Sequence, residues 1–554
     1  MLVPGRPDAT ALLVRDGRVA WVGDESGADS LEQSAHAVTD RVDLAGALLT
    51  PAFVDAHVHL VATGLTAGVG VGDLRHTRSA AQLLDAVATI ARALPTDRTV
   101  LGFGWDDSTW QHPGELPTRA QLDRAAGGRP AFLGRVDVHS ALVTGPPANG
   151  DQRRGDHQPG GDALARWEAG PDGLTLPRVL AGLVTRNARR TLVEAALDAA
   201  AARGIASVHE MAAPQLAELD DLALVDSLGC LLRPGDDDLG PGWRAPGGDG
   251  VAVRPLVAAW WGEHASAGGL DAAVAAGATG CGGDLCVDGS FGSRTAALLA
   301  PYADAPHAGE LHLDAEAVAD HVVACARAGV STGFHLIGDR AAETVAAGLA
   351  LAAAIVGVPA VAATAPRLEH AEMVPRHLLE PLAALGAVAS VQPAFAATWG
   401  GPGGMYERRL GRARADGTNR LADLAAAGLP LATGSDAPVT PLAGWSAVRD
   451  AVANPVAGQG LSPRAAFAAA TRGGWRVARR TGVGQLTPGA PAHLAWWDVT
   501  GGWDVSTPDG RVQRWSTDPA AGVAPLPAVG PDVPLPGCRG LLVAGRRATS
   551  RPDS

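Results

Sequence analysis

The stretch TPAFVDAHVHL, residues 50–60, decides how this chain is to be read. It is an apolar run that ends in two histidines one residue apart. Alternate side chains of a strand share a face, about 7 Å apart along the backbone, so His57 and His59 point the same way. Two imidazoles in register can converge on one metal ion; the alternative is a pair of hydrogen-bonded core histidines. The rest of the chain has to choose between these readings.

Outward from this stretch, short apolar or β-branched runs recur at IASVHEM (205–211), RPLVAAWW (254–261), GDLCVDGS (283–290), STGFHLIGD (331–339), APRLEHAEM (365–373), AVASVQPAF (387–395) and LPLATGSDAP (429–438). Several are followed by helix-like segments, among them RAAETVAAGLALAAAIV (340–356) and RHLLEPLAALG (376–386). Eight strands with intervening helices predict an α/β chain, a (β/α)8 TIM-type barrel over 51–483. Residues 73–170 fit that alternation poorly and read as an insertion after the first strand. Both ends are β-like, with a hairpin signal at Asp16-Gly17, apolar runs at 484–499 and 540–548, and a Pro- and Gly-rich loop over 515–537. Residues 1–50 and 484–554 are therefore expected to combine into one small composite β-sandwich domain.

Composition narrows the class. The chain has 554 residues, 47% hydrophobic and 19% charged, with a formal net charge of −13 and no long basic run. That argues against nucleic acid or an anionic membrane as a partner and says nothing about substrate; a small-molecule substrate is the expectation, and a homo-oligomer stays open. Five scattered cysteines suit reduced thiols in a cytoplasmic protein, and the N-terminus lacks a signal-peptide pattern. The apolar stretch 346–363 is mostly Ala and Gly, carries Pro359, and reads as an interior helix rather than a membrane span. All 45 basic residues are arginine; there is no lysine.

Polar residues recur at the ends of the expected strands: His57 and His59, His209 and Glu210, Asp284 and Asp288, His335, His370, and Asp436. In a barrel the strand C-termini form one rim, where active sites are built. A buried cluster of imidazoles is hard to satisfy by hydrogen bonds alone, whereas neutral imidazole binds a divalent metal such as zinc. A carboxylate beside such an ion can accept a proton from water and pass it to a leaving amine.

With PAFVDAHVHL, GFGWDDSTW, VDGSFGSRTAALLAPY, FHLIGDRA, LEHAE and GSDAPV in this order, residues 10–500 resemble the amidohydrolase superfamily, and within it the amidohydrolase-3 group of N-substituted formamide deformylase-like enzymes. The resemblance implies a metal-dependent hydrolase of non-peptide carbon–nitrogen bonds, of amide or formamide type. It implies metal ligands at His57, His59, His335 and His370, with Asp436 as catalytic acid/base and a further ligand. Many relatives carry a lysine, carboxylated to bridge two metals, where this chain has Asp284. An aspartate is much shorter, so one ion is favoured over two, with Asp284 as an uncertain ligand and Glu210 as an alternative compensating carboxylate. Arg294, Asp288, Trp105, Asp106 and His139 are candidates for the substrate mouth, and Asp339 for orienting a ligand from behind. Ordinary turns, helix capping and an Arg294 ion pair with Asp288 or Asp304 are the structural alternatives. Cyclic-amide, urea-like, deaminase or ester chemistry fits the same site, and a degenerate, non-catalytic metal- or ligand-binding relative is the rival outside enzymes.

Overall fold

The computed structural model describes residues 1–3, 6, 8–35, 40–67, 71–96, 98–144, 164–166, 186–235, 252–504 and 525–548. Its centre is eight parallel strands: β1 (Phe53–Val58), β2 (Ile205–Ala212), β3 (Leu256–Trp261), β4 (Gly280–Cys281), β5 (Ser331–Leu336), β6 (Arg367–His370), β7 (Val388–Val391) and β8 (Leu431–Thr433). Neighbours pair in chain order from β1 to β8, and helices such as Arg186–Ala202, Ala315–Ala328 and Asp339–Val356 pack outside. The ring closes beyond the end of β8, where Asp436 N donates to His57 O (2.8 Å) and His59 N donates to Ala437 O (2.9 Å). The molecule is the (β/α)8 barrel that the alternation of apolar runs predicts. Because both faces of these strands are covered, they read as nearly continuous apolar segments.

One strand lies elsewhere than expected. β4 is Gly280–Cys281, so GDLCVDGS is the irregular turn after it, paired with β5 through an isolated bridge between Cys286 and His335. The stretch 346–363 is not one interior helix either. It is the outer part of Asp339–Val356, a break at Gly357 (φ 88°), and a second helix, Val358–Ala363. The first buries Ala341, Ala342, Val345, Leu349 and Ala352 at helical spacing and leaves Leu351 and Ile355 to solvent. Among the described residues no helix is long and apolar enough to cross a membrane.

Between β1 and β2 the chain builds a five-stranded sheet from Val71–Asp73, Val100–Trp105, Ala131–Arg135, Ser140–Thr144 and Leu164–Arg166. It has its own core of Leu74, Leu83, Val87, Leu122 and Leu133 around Trp105. The ends of the chain meet in another sheet, where Leu494–Asp498 runs antiparallel to both Leu48–Pro51 and Gly537–Val543. The Asp16-Gly17 turn joins Ala11–Arg15 to Arg18–Gly23. The expected loop at 515–537 lies partly outside the described residues; within the described part, Leu526–Pro527 pairs with Trp503–Asp504.

Terminal sheet and barrel share an aromatic cluster. The Phe53 ring on β1 meets Trp445, Phe467 and Trp497 edge-on at 5.3–5.6 Å. Trp497 also donates its indole N–H to Thr50 Oγ1 at 2.9 Å. Replacing a buried aromatic by alanine leaves a cavity worth about 3–5 kcal/mol. Trp497→Ala is therefore expected to lower the midpoint of thermal unfolding by several degrees, read by calorimetry.

Candidate metal centre

Asp55, His57 and His59 share one face by the strand alternation, and the barrel turns that face inward. Asp55 is spent on closure, its Oδ1 accepting from Ser435 N at 2.8 Å. The two histidines stand at the rim. His57 Nε2 is 3.3 Å from Asp284 Oδ2 and 3.4 Å from Asp436 Oδ1, and His59 Nε2 is 3.3 Å and 3.0 Å from the same two oxygens. From the opposite side His335 Nδ1 and His370 Nε2 lie 3.6 Å and 3.7 Å from Asp284 Oδ1. Four imidazoles and two carboxylates thus converge on one buried point.

The proton on each ring can be placed, because a carbonyl or ionised carboxylate oxygen only accepts. His57 Nδ1 donates to Glu369 Oε2 (2.9 Å), His59 Nδ1 to Met211 O (3.0 Å), His335 Nε2 to Gly289 O (3.3 Å) and His370 Nδ1 to Gln392 Oε1 (2.8 Å). Each ring in its neutral form therefore turns a bare lone pair toward the shared point. Partners that fix tautomer and orientation in this way are a regular feature of metal-ligating histidines.

The atoms left over fit a metal. His57 Nε2, Asp284 Oδ1 and Asp436 Oδ1 are buried with no hydrogen-bond partner. Ligands about 2.0–2.1 Å from a tetrahedral ion stand roughly 3.3–3.4 Å from one another, close to the spacings here. His57, His59 and Asp436 form one compact donor group, and His57, Asp284 and His370 an overlapping one. The charges agree: burial alone would depress the His57 imidazole, but Asp284 and Asp436 outweigh it and hold it well above its ordinary value. Burial also opposes ionisation of Asp284, yet His57, His335 and His370 keep it well below the carboxylate range. The point is built for positive charge.

Asp284, the uncertain ligand, turns one oxygen toward each histidine pair: Oδ2 toward His57 and His59, Oδ1 toward His335 and His370. Its reach comes from the main chain. Gly282 and Gly283 have φ of 117° and 74°, and a Cβ on Gly282 would lie 2.2 Å from Gly333 O. Only glycine lets the turn after β4 lie so close against β5. Glu210 does not join the group; it accepts from Leu60 N at 2.7 Å and anchors the turn after His59. His209 points down the barrel to Arg367.

Other expected residues separate. His139 does reach the site, its ring 5.0 Å from that of His335. Trp105 does not line the mouth: it is buried in the insertion's core and donates to Leu133 O. Asp106 is held at 2.8 Å by Arg135, which also pairs with Asp107 and Asp137. Arg294 forms the ion pair with Asp304 (2.8 Å). Asp288 accepts from three backbone amides, of Ala297, Ile337 and Gly338, and so clamps its loop against β5. Asp339 accepts from Leu299 N and Arg340 N and touches no histidine.

Two clefts of about 390 and 550 Å³ meet at His139, His335, His370 and Asp436. One wall of the smaller is apolar, made of Phe291, Phe395, Trp399, Met405 and Tyr406. The other carries Arg135 and Asp137. Glu372 also lines it, hydrogen-bonded by the Tyr406 hydroxyl and by Asn419; burial pushes its carboxyl up to about 7. Glu369, Gln392, Arg135 and Tyr406 are contributors that the strand-end reading passes over. Glu369 alone left a signal, two residues after Arg367 on a buried strand, where alternation puts both charges inside.

A closed (β/α)8 barrel whose rim gathers such donors is the scaffold of a metal-dependent hydrolase. A sequence model of the amidohydrolase family matches residues 40–547, and the chain belongs to that family. Protein YtcJ of Bacillus subtilis (strain 168) is 26% identical over 458 residues, 80% of each chain. N-substituted formamide deformylase of Arthrobacter pascens is 27% identical over 135 residues, 24% of each chain. Among solved structures, a metal-dependent hydrolase from Pyrococcus furiosus is 25% identical with a TM-score of 0.62, covering 87% of this chain and 93% of that one.

Glu369→Gln keeps the shape but offers His57 an amide that can turn its N–H₂ toward the ring. Loss of such a partner typically costs 10–100-fold in metal affinity. That range is the expected outcome, read by competition with a chromogenic chelator.

Proposed function

We propose that this protein hydrolyses a non-peptide carbon–nitrogen bond, of amide or formamide type, in a small substrate with an apolar N-substituent. The observation that carries the reading is Asp436: its carboxylate lies against His57 and His59 and also lines both clefts. A divalent ion, zinc by the donor set, supplies Lewis acidity to water and to the carbonyl when bound. His57, His59, Asp436 and Asp284 are the set that holds it tightly. His335, His370 and the other Asp284 oxygen are a three-donor set for a weaker second ion. Asp436 accepts the proton of the attacking water and returns it to the departing nitrogen. His139, beside His335, is placed to donate to the substrate carbonyl.

The wall residues support the substituent. Phe291, Phe395, Trp399 and Met405 offer an apolar face. The guanidinium of Arg135 is paired with Asp106, Asp107 and Asp137, so its charge is already matched within the scaffold rather than open to an anionic substituent. The deformylase of Arthrobacter pascens, by its name, acts on N-substituted formamides, and such compounds are the first to try.

Two measurements test this. Asp436→Asn is expected to lower turnover of N-arylalkyl formamides at least about 10²-fold, within the range of lost general acid–base catalysis; near-normal activity would sink the assignment. Metal analysis of the dialysed protein is expected to give about one ion per chain. His57→Ala should abolish it and His335→Ala retain it. The opposite pattern would mean that the tight set is the other one.

A further inference from the structure

A second group of metal- and redox-type side chains lies on the far side of β4 from the rim, and the proposed hydrolysis makes no use of it. Cys281 ends β4; His321 and Cys325 sit four residues apart on the helix Ala315–Ala328, hence on one face of it. All three are fully buried, with donor atoms within 4.8 Å of one another. Cys325 Sγ is 3.6 Å from His321 Nε2, and Cys281 Sγ is 3.3 Å from Glu263 O.

The histidine decides what this group can do. Ala265 N donates to His321 Nδ1 at 3.1 Å, so that nitrogen is bare and the proton of the neutral ring is on Nε2. Nε2 faces Cys281 O at 3.2 Å, which can only accept. His321 therefore carries an N–H at Nε2, shared between Cys281 O and Cys325 Sγ at 3.6 Å, rather than a lone pair. A metal held through Nε2 would need the proton moved to Nδ1, against the Ala265 N–H, with loss of both hydrogen bonds. A donor at this distance instead favours a thiolate on Cys325.

We propose that Cys281 and Cys325 are a reversible dithiol–disulfide pair, with Cys325 the attacking sulfur and hydrogen peroxide, or a small peroxide of that class, the oxidant. The Cys325 thiolate attacks one peroxide oxygen, the O–O bond breaks, and the product is a sulfenic acid with release of hydroxide, which is protonated to water. Cys281 then attacks that sulfur, the S–O bond breaks, and its thiol proton leaves with the hydroxyl as a second water. Two thiols lose two electrons and one peroxide gains them. Hydrogen bonding from Cys281, then from His321, holds the Cys325 thiol down at about 5 against burial. The same interaction with Cys325 raises Cys281, which suits it as the resolving partner. Both sulfurs are buried, so peroxide reaches them through local opening; the half-buried ring of His264 lies 5.3 Å from that of His321.

The test uses the full chain, reduced and then treated with a few-fold excess of hydrogen peroxide, denatured in alkylating agent, and mapped by mass spectrometry. The expected result is a linked pair of peptides carrying Cys281 and Cys325, about 2 Da lighter than the two reduced peptides together and separated again by dithiothreitol. In Cys281→Ser, a dimedone adduct is expected on Cys325; in Cys325→Ser, none on Cys281. Complete alkylation of both thiols in the wild-type chain, with oxidation only at half-buried Cys286 or Cys538, would overturn the proposal. So would a zinc ion retained by the reduced protein and lost on Cys325→Ser, which would make the group a metal site.

Discussion

A guanidinium sealed from water at the floor of the barrel sets the state of everything above it. Arg367 on β6 donates to Glu369 Oε1 at 2.5 Å and to Ala56 O at 2.8 Å, and its cationic carbon lies 4.2 Å from the Trp260 ring centroid. Burial pushes the Glu369 carboxyl up, but Arg367 beside it holds it down at about 2. An ionised Glu369 can only accept, so His57 must offer it Nδ1–H and keep Nε2 bare. Exchanging a buried pair of this kind for apolar residues is often neutral for stability. What the pair provides here is a tautomer, passed upward from Arg367 through Glu369 to His57.

Backbone placement carries the rest. Asp284 reaches both histidine pairs because two glycines let the turn after β4 run hard against β5. At the other end of the ring, His370 and Asp436 have φ of 68° and 54°, a left-handed conformation that non-glycine residues hold at a cost of order 1–3 kcal/mol. The cost is met by surrounding contacts: Gln392 grips the His370 ring, and Asp436 is tied to His57 through its amide. Strain thus accumulates on two side chains that aim at the same point.

What the sequence disclosed followed the kind of signal involved. Strand positions emerged from apolar runs because parallel barrel strands are buried on both faces, and seven of the eight runs quoted contain an observed strand. The exception, GDLCVDGS, looks like a strand by composition, but Gly282 and its own first residue, Gly283, had already ended β4. The four histidines could be read because their residue type is rare on buried strands. Trp105, Asp106, Arg294 and Asp339 carried two readings each in the sequence, because a polar or aromatic residue in a motif-like stretch suits a site or a scaffold equally; in the structure each finds its partner within the scaffold. Gln392 and Arg135 were invisible, since what they do depends on partners 22 and 28 residues away along the chain, His370 and Asp107.

The barrel's seam has a consequence for how the protein is made. The bonds that close the ring come from Asp436 and Ala437, and Asp436 is also the last member of the tight donor set to leave the ribosome. A nascent chain that already displays His57, His59 and Asp284 has neither a closed ring nor a full coordination sphere until some 380 residues after the first histidine. Domains fold as units as they are synthesised, so the donor group and the ring that carries it are completed together, by one short segment near the end of the barrel.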